Sequence, residues 1–193
     1  PEGLEEIGNN ALNRSIKGRL TYPGSLTYIG SYLSSDDLTE VVFEDGEKPL
    51  EFVQNVDFPN LTTLYLGRQF NCTNYYVPVY QSKITEISIG APVDTVTMGM
   101  FYNGEADFAQ LKVLRCLNPV PPVVDTKIKI EYDDNWNEVE VEYDPFTELD
   151  KTACRLEVPA GSIDAYRAAP VWKEFLTISA TTGIENVTVD STD

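Results

Sequence analysis

The stretch Leu61-Thr62-Thr63-Leu64-Tyr65-Leu66 has a pattern that returns along the chain: an apolar residue, two polar ones, then apolar-x-apolar. It comes back at residues 38–43, 84–89 and 111–116. The starts at 38, 61, 84 and 111 are 23, 23 and 27 residues apart. The stretch therefore predicts one short strand in each of several stacked units.

Short strands at such intervals are typical of a leucine-rich repeat solenoid, in which each unit packs on its neighbours. A second pattern, Pro-x-x-Leu-x-x-Ile-Gly, occurs at residues 1–8 and 23–30, an offset of 22. It predicts the convex half of a repeat unit. Further strands are expected around Leu20-x-Tyr22 and Leu156-x-Val158. The predicted fold is a parallel sheet of short stacked strands with irregular convex segments.

Residues 127–132 and 138–143 interrupt the repeats, because each alternates apolar and charged side chains around a turn-forming stretch. We predict a β-hairpin inserted at 127–143. A single hairpin is marginally stable in water. We therefore expect Ile128, Ile130, Val139 and Val141 to share one face that packs on the main body or on a partner.

The end of the chain predicts a helical cap. Ser162 is a candidate N-cap for a short helix over residues 163–168. Tyr166, Trp172 and Phe175 are expected to cover the open end of the stack, as a terminal unit of a solenoid requires. The predicted organisation is a domain at 1–178, with its cap at 156–178, and a tail or linker at 179–193.

Composition excludes several functional classes. The chain of 193 residues has 14 basic and 31 acidic residues, a net charge of −17, so it repels nucleic acid and anionic membranes. It has no histidine, the commonest general base and metal ligand. We predict no cofactor and no metal. We also predict no membrane insertion, since no apolar run approaches transmembrane length.

The cysteines and a calcium-like motif are not predicted to form special sites. Cys72, Cys116 and Cys154 are too few and too widely spaced for a disulfide framework or a metal site. In-register stacking would place Cys154 opposite Lys112 rather than Cys116. The stretch 133–137 has oxygen ligands at calcium-loop spacing, but the required glycine is missing and a polar turn is favoured.

Two aromatic features are candidates for contact. The stretch 75–80 holds three tyrosines, which either form a sugar-stacking platform or pack under a loop of the solenoid, and packing is the commoner outcome. Trp136 lies at the expected hairpin tip, where a large apolar group is unusual. It is either tucked back against the protein or a contact residue.

The principal candidate site is a column of side chains on the sheet. In an apolar-x-apolar strand the middle side chain points away from the core. Stacking would align Val42, Tyr65, Ser88, Arg115 and Glu157, flanked by Glu40, Thr63, Glu86 and Val113. The column is where we expect a protein or glycan ligand. The alternative is a solvated sheet face with no partner.

Four sets of motifs carry a resemblance: the segment 159–166 followed by Trp172-Lys173-Glu174-Phe175, the segment 64–68, the segment 116–122 and the proline-led repeats. Together they resemble the BspA-type leucine-rich repeat proteins, surface proteins of Bacteroides and related bacteria. The resemblance implies a secreted or surface-anchored protein that binds host or matrix components and is not an enzyme. It supplies no functional residues. Leu12 and Leu33 stand where the family usually has an aromatic residue, and the hairpin resembles an insertion.

The function predicted from the sequence is therefore a non-enzymatic binding or adhesion module. One alternative is a structural spacer within a larger surface protein. Another is a carboxylate-dependent glycan-acting enzyme, although no pair of acidic residues has a context that fixes the required separation. Oligomeric state is left open.

Overall fold

The computed structural model describes residues 3–8, 16–30, 33–52, 56–72, 83–101 and 108–181. The strands are β1 (Glu6–Ile7), β2 (Gly18–Tyr22), β3 (Tyr28–Ile29), β4 (Leu33–Ser34), β5 (Leu38–Phe43), β6 (Leu50–Phe52), β7 (Val56–Asp57), β8 (Thr63–Leu66), β9 (Phe70–Cys72), β10 (Glu86–Ile89), β11 (Thr95–Val96), β12 (Val113–Cys116), β13 (Val123–Val124), β14 (Lys127–Tyr132), β15 (Glu138–Tyr143), β16 (Arg155–Val158) and β17 (Thr177–Ala180). The helices are α1 (Met98–Phe101), α2 (Ile163–Ala168) and two 3-10 turns, Ala160–Ser162 and Trp172–Glu174.

The chain forms a parallel β-solenoid. Seven strands make its main sheet in the order β17-β16-β12-β10-β8-β5-β2, and every neighbouring pair is parallel. The predicted strands are confirmed, because the four repeats become β5, β8, β10 and β12, while β2 and β16 extend the sheet on either side. Each turn of the chain adds one strand to this sheet.

The opposite side of the solenoid is more regular than predicted. Strands β1, β3, β6 and β9 form a second parallel sheet, in which Glu6 lies opposite Tyr28 and Ile7 opposite Ile29. This register is the offset of 22 that the proline-led patterns indicate. Two shorter parallel pairs, β4 with β7 and β11 with β13, continue this side. Here the prediction of irregular convex segments was wrong, because backbone groups inside a stack must find partners and pair with the next turn.

Side chains pointing inward from both sheets form one continuous core. From the main sheet the core receives alternate residues, so Val41 and Phe43 are both buried in it. From the second side it receives Leu26, Ile29 and Leu50. The alternation follows from strand geometry, in which successive side chains point to opposite faces.

Threonines reinforce the stacking of the turns. The side-chain hydroxyls of Thr39, Thr62 and Thr85 donate to the carbonyls of Gly18, Thr39 and Thr62, at 3.1, 3.0 and 3.2 Å. Each acceptor lies one turn earlier in the chain. The second position of the repeat pattern thus ties successive turns together through side chains as well as through the backbone.

Arg68 is a buried arginine that links three turns. Its guanidinium donates to the carbonyls of Leu26, Pro23 and Glu44 at 2.6 to 3.0 Å, and the residue is 1% exposed. A charged side chain is buried at this level only when hydrogen bonds satisfy it. Arg68 therefore holds the corner of the solenoid where its first turns meet.

Glycines at the same corner allow backbones to approach closely. A Cβ on Gly67 would lie 2.5 Å from the Asp45 nitrogen and 2.6 Å from the Glu44 carbonyl carbon. On Gly90 it would lie 2.7 Å from an Asp45 carboxylate oxygen. Larger residues at these two positions would push successive turns apart.

The helical segment lies between β16 and β17, within the predicted cap at 156–178. Tyr166 and Trp172 are buried and donate hydrogen bonds to the carbonyls of Asn118 and Pro122, both at 2.8 Å. Ser162 occupies the N-cap position of α2 as predicted, but its hydroxyl makes no capping hydrogen bond and donates to the Pro119 carbonyl instead. The segment therefore packs on the preceding turn, and β17 continues the sheet to Ala180, two residues past the expected domain end at 178.

The hairpin is confirmed, but its predicted apolar face is wrong. Strands β14 and β15 pair antiparallel with Ile128 opposite Glu142 and Ile130 opposite Glu140. Because directly opposite residues share a face, the isoleucines lie on one face and the valines on the other. Among the described strands, β14 and β15 pair only with each other.

Other sequence predictions have mixed outcomes. The register places Arg155 opposite Val113, so Cys154 falls beside Lys112 as expected, and Cys116 and Cys154 are free thiols. The aromatic stretch 75–80 and the tail from residue 182 lie outside the described residues. None of the helices in the described part of the chain is long and apolar enough to cross a bilayer.

We predict that Gly67→Ala destabilises the solenoid by about 2 kcal/mol, because the added methyl group meets backbone atoms that cannot move aside cheaply. Denaturant unfolding measures the change. Gly161→Ala is the matched control, since a Cβ there meets nothing within 4 Å. Equal stability of the two variants would contradict the close approach at Gly67.

We predict that Arg68→Leu costs about 3 kcal/mol, because buried carbonyls lose their donors. The control is Arg167→Leu, which removes an arginine whose side chain is 61% exposed and should change the free energy of unfolding by less than about 0.5 kcal/mol. A small effect of Arg68→Leu in thermal and denaturant unfolding would show that water replaces the guanidinium.

Candidate functional site

The predicted column of side chains exists in the structure. Strand register aligns the five predicted residues in one row, which Thr21 and Ser179 extend at its two ends. Its members are Thr21, Val42, Tyr65, Ser88, Arg115, Glu157 and Ser179. A second row beside it holds Glu40, Thr63, Glu86, Val113, Arg155 and Thr177. We call these two rows the outer sheet face.

The outer sheet face is separate from the core, although parts of it are shielded. Val42 and Val113 are buried but lie outside the core cluster to which Val41 and Leu114 belong. Ser88 is also buried, between the larger Tyr65 and Arg115 of the neighbouring strands. The accessible part of the column is therefore the exposed Thr21 at one end, together with the partly exposed Tyr65, Arg115 and Ser179.

Tyr65 is held in place by a turn residue. Its hydroxyl donates to a carboxylate oxygen of Asp45 at 2.6 Å. Burial, together with the hydrogen bond and negative charge of Asp45, raises the pKa of Tyr65. The phenol therefore stays protonated and presents its ring edge in a fixed direction.

Arg115 is the centre of a charge network on three strands. Its Nη1 lies 2.7 Å from Glu86 Oε2 and its Nε lies 2.7 Å from Glu157 Oε2. Glu157 Oε1 accepts from Arg155 Nη2 at 2.8 Å. Four groups of alternating sign thus cross from β10 to β16 and have no net charge.

The pKa values agree with paired rather than reactive groups. Burial raises the pKa of Glu157, but hydrogen bonds from Arg155 and Arg115 outweigh burial, so the net shift is downward. Burial lowers the pKa of Arg115, but hydrogen bonds to Glu86 and Glu157 outweigh it, so the net shift is upward. Both groups stay charged at neutral pH, which suits them to orienting each other more than to proton transfer.

Two of the three cysteines, Cys116 and Cys154, have thiols whose pKa is shifted in the same direction. Burial raises the pKa of Cys116 and of Cys154 to about 11. A thiol with a raised pKa is a poor nucleophile because the thiolate is the reactive form. Within the described residues, no group of three or more acidic, cysteine or histidine side chains could hold a metal ion.

The hairpin tip was the second candidate site. Asp133 closes the turn: its carboxylate accepts the backbone N–H groups of Asn135 and Asn137 at 2.8 and 2.9 Å. The carboxylate therefore stabilises the turn, and the polar turn that was favoured over a calcium loop is confirmed. Trp136 is not tucked back onto the solenoid, because it is 83% exposed.

Two residues that decide the chemistry of the outer sheet face were not predicted, one within the face and one beside it. Arg155 occupies the strand position of Val113, and that equivalence was available from the repeat alignment alone. Asp45 comes from the turn after β5, and no periodic signal points to it. The column was predicted from spacing, whereas the bonds that fix its side chains were not.

Comparison with protein families, with curated proteins and with solved structures finds no match to this chain.

We predict that Glu157→Gln lowers the free energy of unfolding by about 2 kcal/mol at neutral pH, because the half-exposed Arg155 and shielded Arg115 lose their carboxylate. Since the folded pKa of Glu157 is depressed, its contribution is present above the unfolded value and is lost as pH falls. The difference from wild type should therefore shrink below about pH 5. Denaturant unfolding over a pH series measures it.

Glu148→Gln, an exposed glutamate, is the matched control and should leave stability nearly unchanged throughout. A difference for Glu157→Gln that does not depend on pH would count against an ion-pair role.

Proposed function

We propose that this chain is a leucine-rich repeat solenoid of BspA-like type, and that it is a non-enzymatic binding module of a secreted or surface protein. Its ligand is a protein or glycan recognised on the outer sheet face. The observation that carries the proposal is the in-register column from Thr21 to Ser179, which gives seven strands one continuous surface.

The fixed geometry of that surface supports recognition. Tyr65 is oriented by Asp45, and Arg115 is oriented by two carboxylates. Side chains that are already ordered lose little conformational entropy when a ligand binds. Tyrosine and arginine are also the residue types most often found at energetic centres of interfaces.

The same bonds favour a second candidate, a structural spacer. Arg115 has its Nε and Nη1 donors engaged within the protein, and the Glu157 side chain is only 6% exposed. A ligand would have to compete with these ion pairs. In a spacer the network would simply stabilise the sheet.

A carboxylate-dependent enzyme is less well supported by the geometry. The most shielded acidic group of the face, Glu157, is bound by two arginines and has a lowered pKa. A general acid needs the opposite environment, in which burial keeps the carboxyl protonated.

The test is a glycan and extracellular-matrix protein array probed with the wild type and with the double variant Tyr65→Ala, Arg115→Ala. We expect the variant to lose at least about tenfold in affinity for whatever the wild type binds. The matched control is Arg167→Ala, Lys173→Ala, which removes exposed cations from the helical segment and should bind normally. Circular dichroism and unfolding confirm that all the proteins fold.

Binding that survives the Tyr65 and Arg115 changes would place recognition elsewhere. An array on which the wild type binds nothing would favour the spacer.

A further inference from the structure

The two faces of the hairpin differ in the charges that they carry. One face holds Lys127, Lys129, Glu131, Val139, Val141 and Tyr143. On it the Lys129 ammonium lies 4.6 Å from the centre of the Tyr143 ring, and the Tyr143 hydroxyl donates to Glu131. On the opposite face the Tyr132 hydroxyl likewise donates to Glu138, at 3.3 Å, so the two faces differ in charge and not in whether their polar groups have partners.

The other face is apolar on one strand and acidic on the next. We call it the acidic-apolar face; it consists of Ile128, Ile130 and Tyr132 opposite Glu142, Glu140 and Glu138. The three apolar residues are 65%, 53% and 60% exposed. Within the described part of the chain, no lysine or arginine forms an ion pair with these glutamates.

Trp136 extends the apolar row of this face. Its ring centre lies 6.3 Å from that of Tyr132, and the side chain is 83% exposed. Its backbone is in the left-handed region, with φ at 62°, where asparagine or glycine is favoured over a bulky residue. Trp136 thus occupies a position where both the backbone conformation and the exposure to solvent are unfavourable for a large apolar residue.

We propose that the acidic-apolar face docks a cationic amphipathic segment of another protein. Along each strand, alternate residues repeat at roughly 7 Å, so the apolar and acidic rows run side by side. A segment with apolar residues on one side and lysines or arginines on the other matches both rows at once. The apolar row supplies burial, and the acidic row supplies charge complementarity and orientation.

Charge argues against other occupants. A second copy of this face would bring two sets of glutamates together in a chain that already carries a net charge of −17. Nucleic acid and anionic lipid would be repelled for the same reason. The proposal goes beyond the outer sheet face, because it assigns a different surface and holds whether or not that face binds.

The experiment uses synthetic peptides that alternate lysine with leucine at strand or helical period, and counterparts in which glutamate or serine replaces lysine. Binding to the whole chain is followed by anisotropy of labelled peptide and by the emission of Trp136, since Trp172 is fully buried. We expect a cationic peptide to bind and to shift that emission to shorter wavelength. The glutamate and serine peptides should bind at least about tenfold more weakly.

Two hairpin variants test the site. The triple change Glu138→Lys, Glu140→Lys, Glu142→Lys should weaken binding of the cationic peptide at least about tenfold. Its matched control is Glu47→Lys, Glu51→Lys, Glu148→Lys, which alters net charge equally at exposed positions away from the hairpin. Trp136→Asn should also weaken binding while keeping the hairpin folded, because asparagine tolerates the left-handed backbone.

Equal weakening by the two triple variants would overturn the proposal in favour of general charge attraction. It would also be overturned if no cationic peptide binds, or if Trp136→Asn leaves peptide binding unaffected. Peptide binding that the Tyr65→Ala, Arg115→Ala variant retains supports the hairpin site. Peptide binding lost only in that variant would overturn it and assign recognition to the outer sheet face.

Discussion

Hydrogen bonding between successive turns is the constraint on which the rest of the structure depends. The backbone N–H groups of Thr62, Thr85 and Lys112 each donate to a carbonyl one turn earlier, at 2.9 Å. A parallel ladder of this kind fixes which residues become neighbours, because a slip by one position would turn every core side chain outward. The continuous core, the threonine bonds and the outer sheet face all follow from that one register.

At the corner near Arg68, carbonyl groups beyond the strand ends need hydrogen-bond donors from outside the sheet. Where strands stop, carbonyls of successive turns converge without strand partners, and a guanidinium supplies several donors in one plane. Gly67 and Gly90 let those turns approach closely around Asp45. Arg68 thus supplies donors where the sheet has none, and the glycines make room for the turns to meet there. Asp45, which lies at this corner, also accepts the hydrogen bond that orients Tyr65.

Repeat spacing was enough to predict the strands and the column, since both depend only on an alternation of buried and exposed residues. It could not predict the hairpin face. The turn closed by Asp133 and Asn137 sets Tyr132 opposite Glu138, and a turn one residue shorter or longer would have placed Val139 and Val141 with the isoleucines. Repeat spacing also could not predict the ion pairs of Arg115, because side-chain partners across strands depend on rotamers, which no periodic pattern encodes. Ser162 shows the same limit, since its acceptor at Pro119 is 43 residues away in sequence.

The hairpin has a consequence for how such a protein can evolve. In the described part of the chain, its backbone hydrogen bonds stay within residues 127–143, while the stack closes on either side through β13 and β16. Substitutions or changes of length in this branch leave the inter-turn register intact. Selection can therefore alter what the branch recognises while the scaffold remains under separate constraint, so that one solenoid can serve lineages that meet different partners.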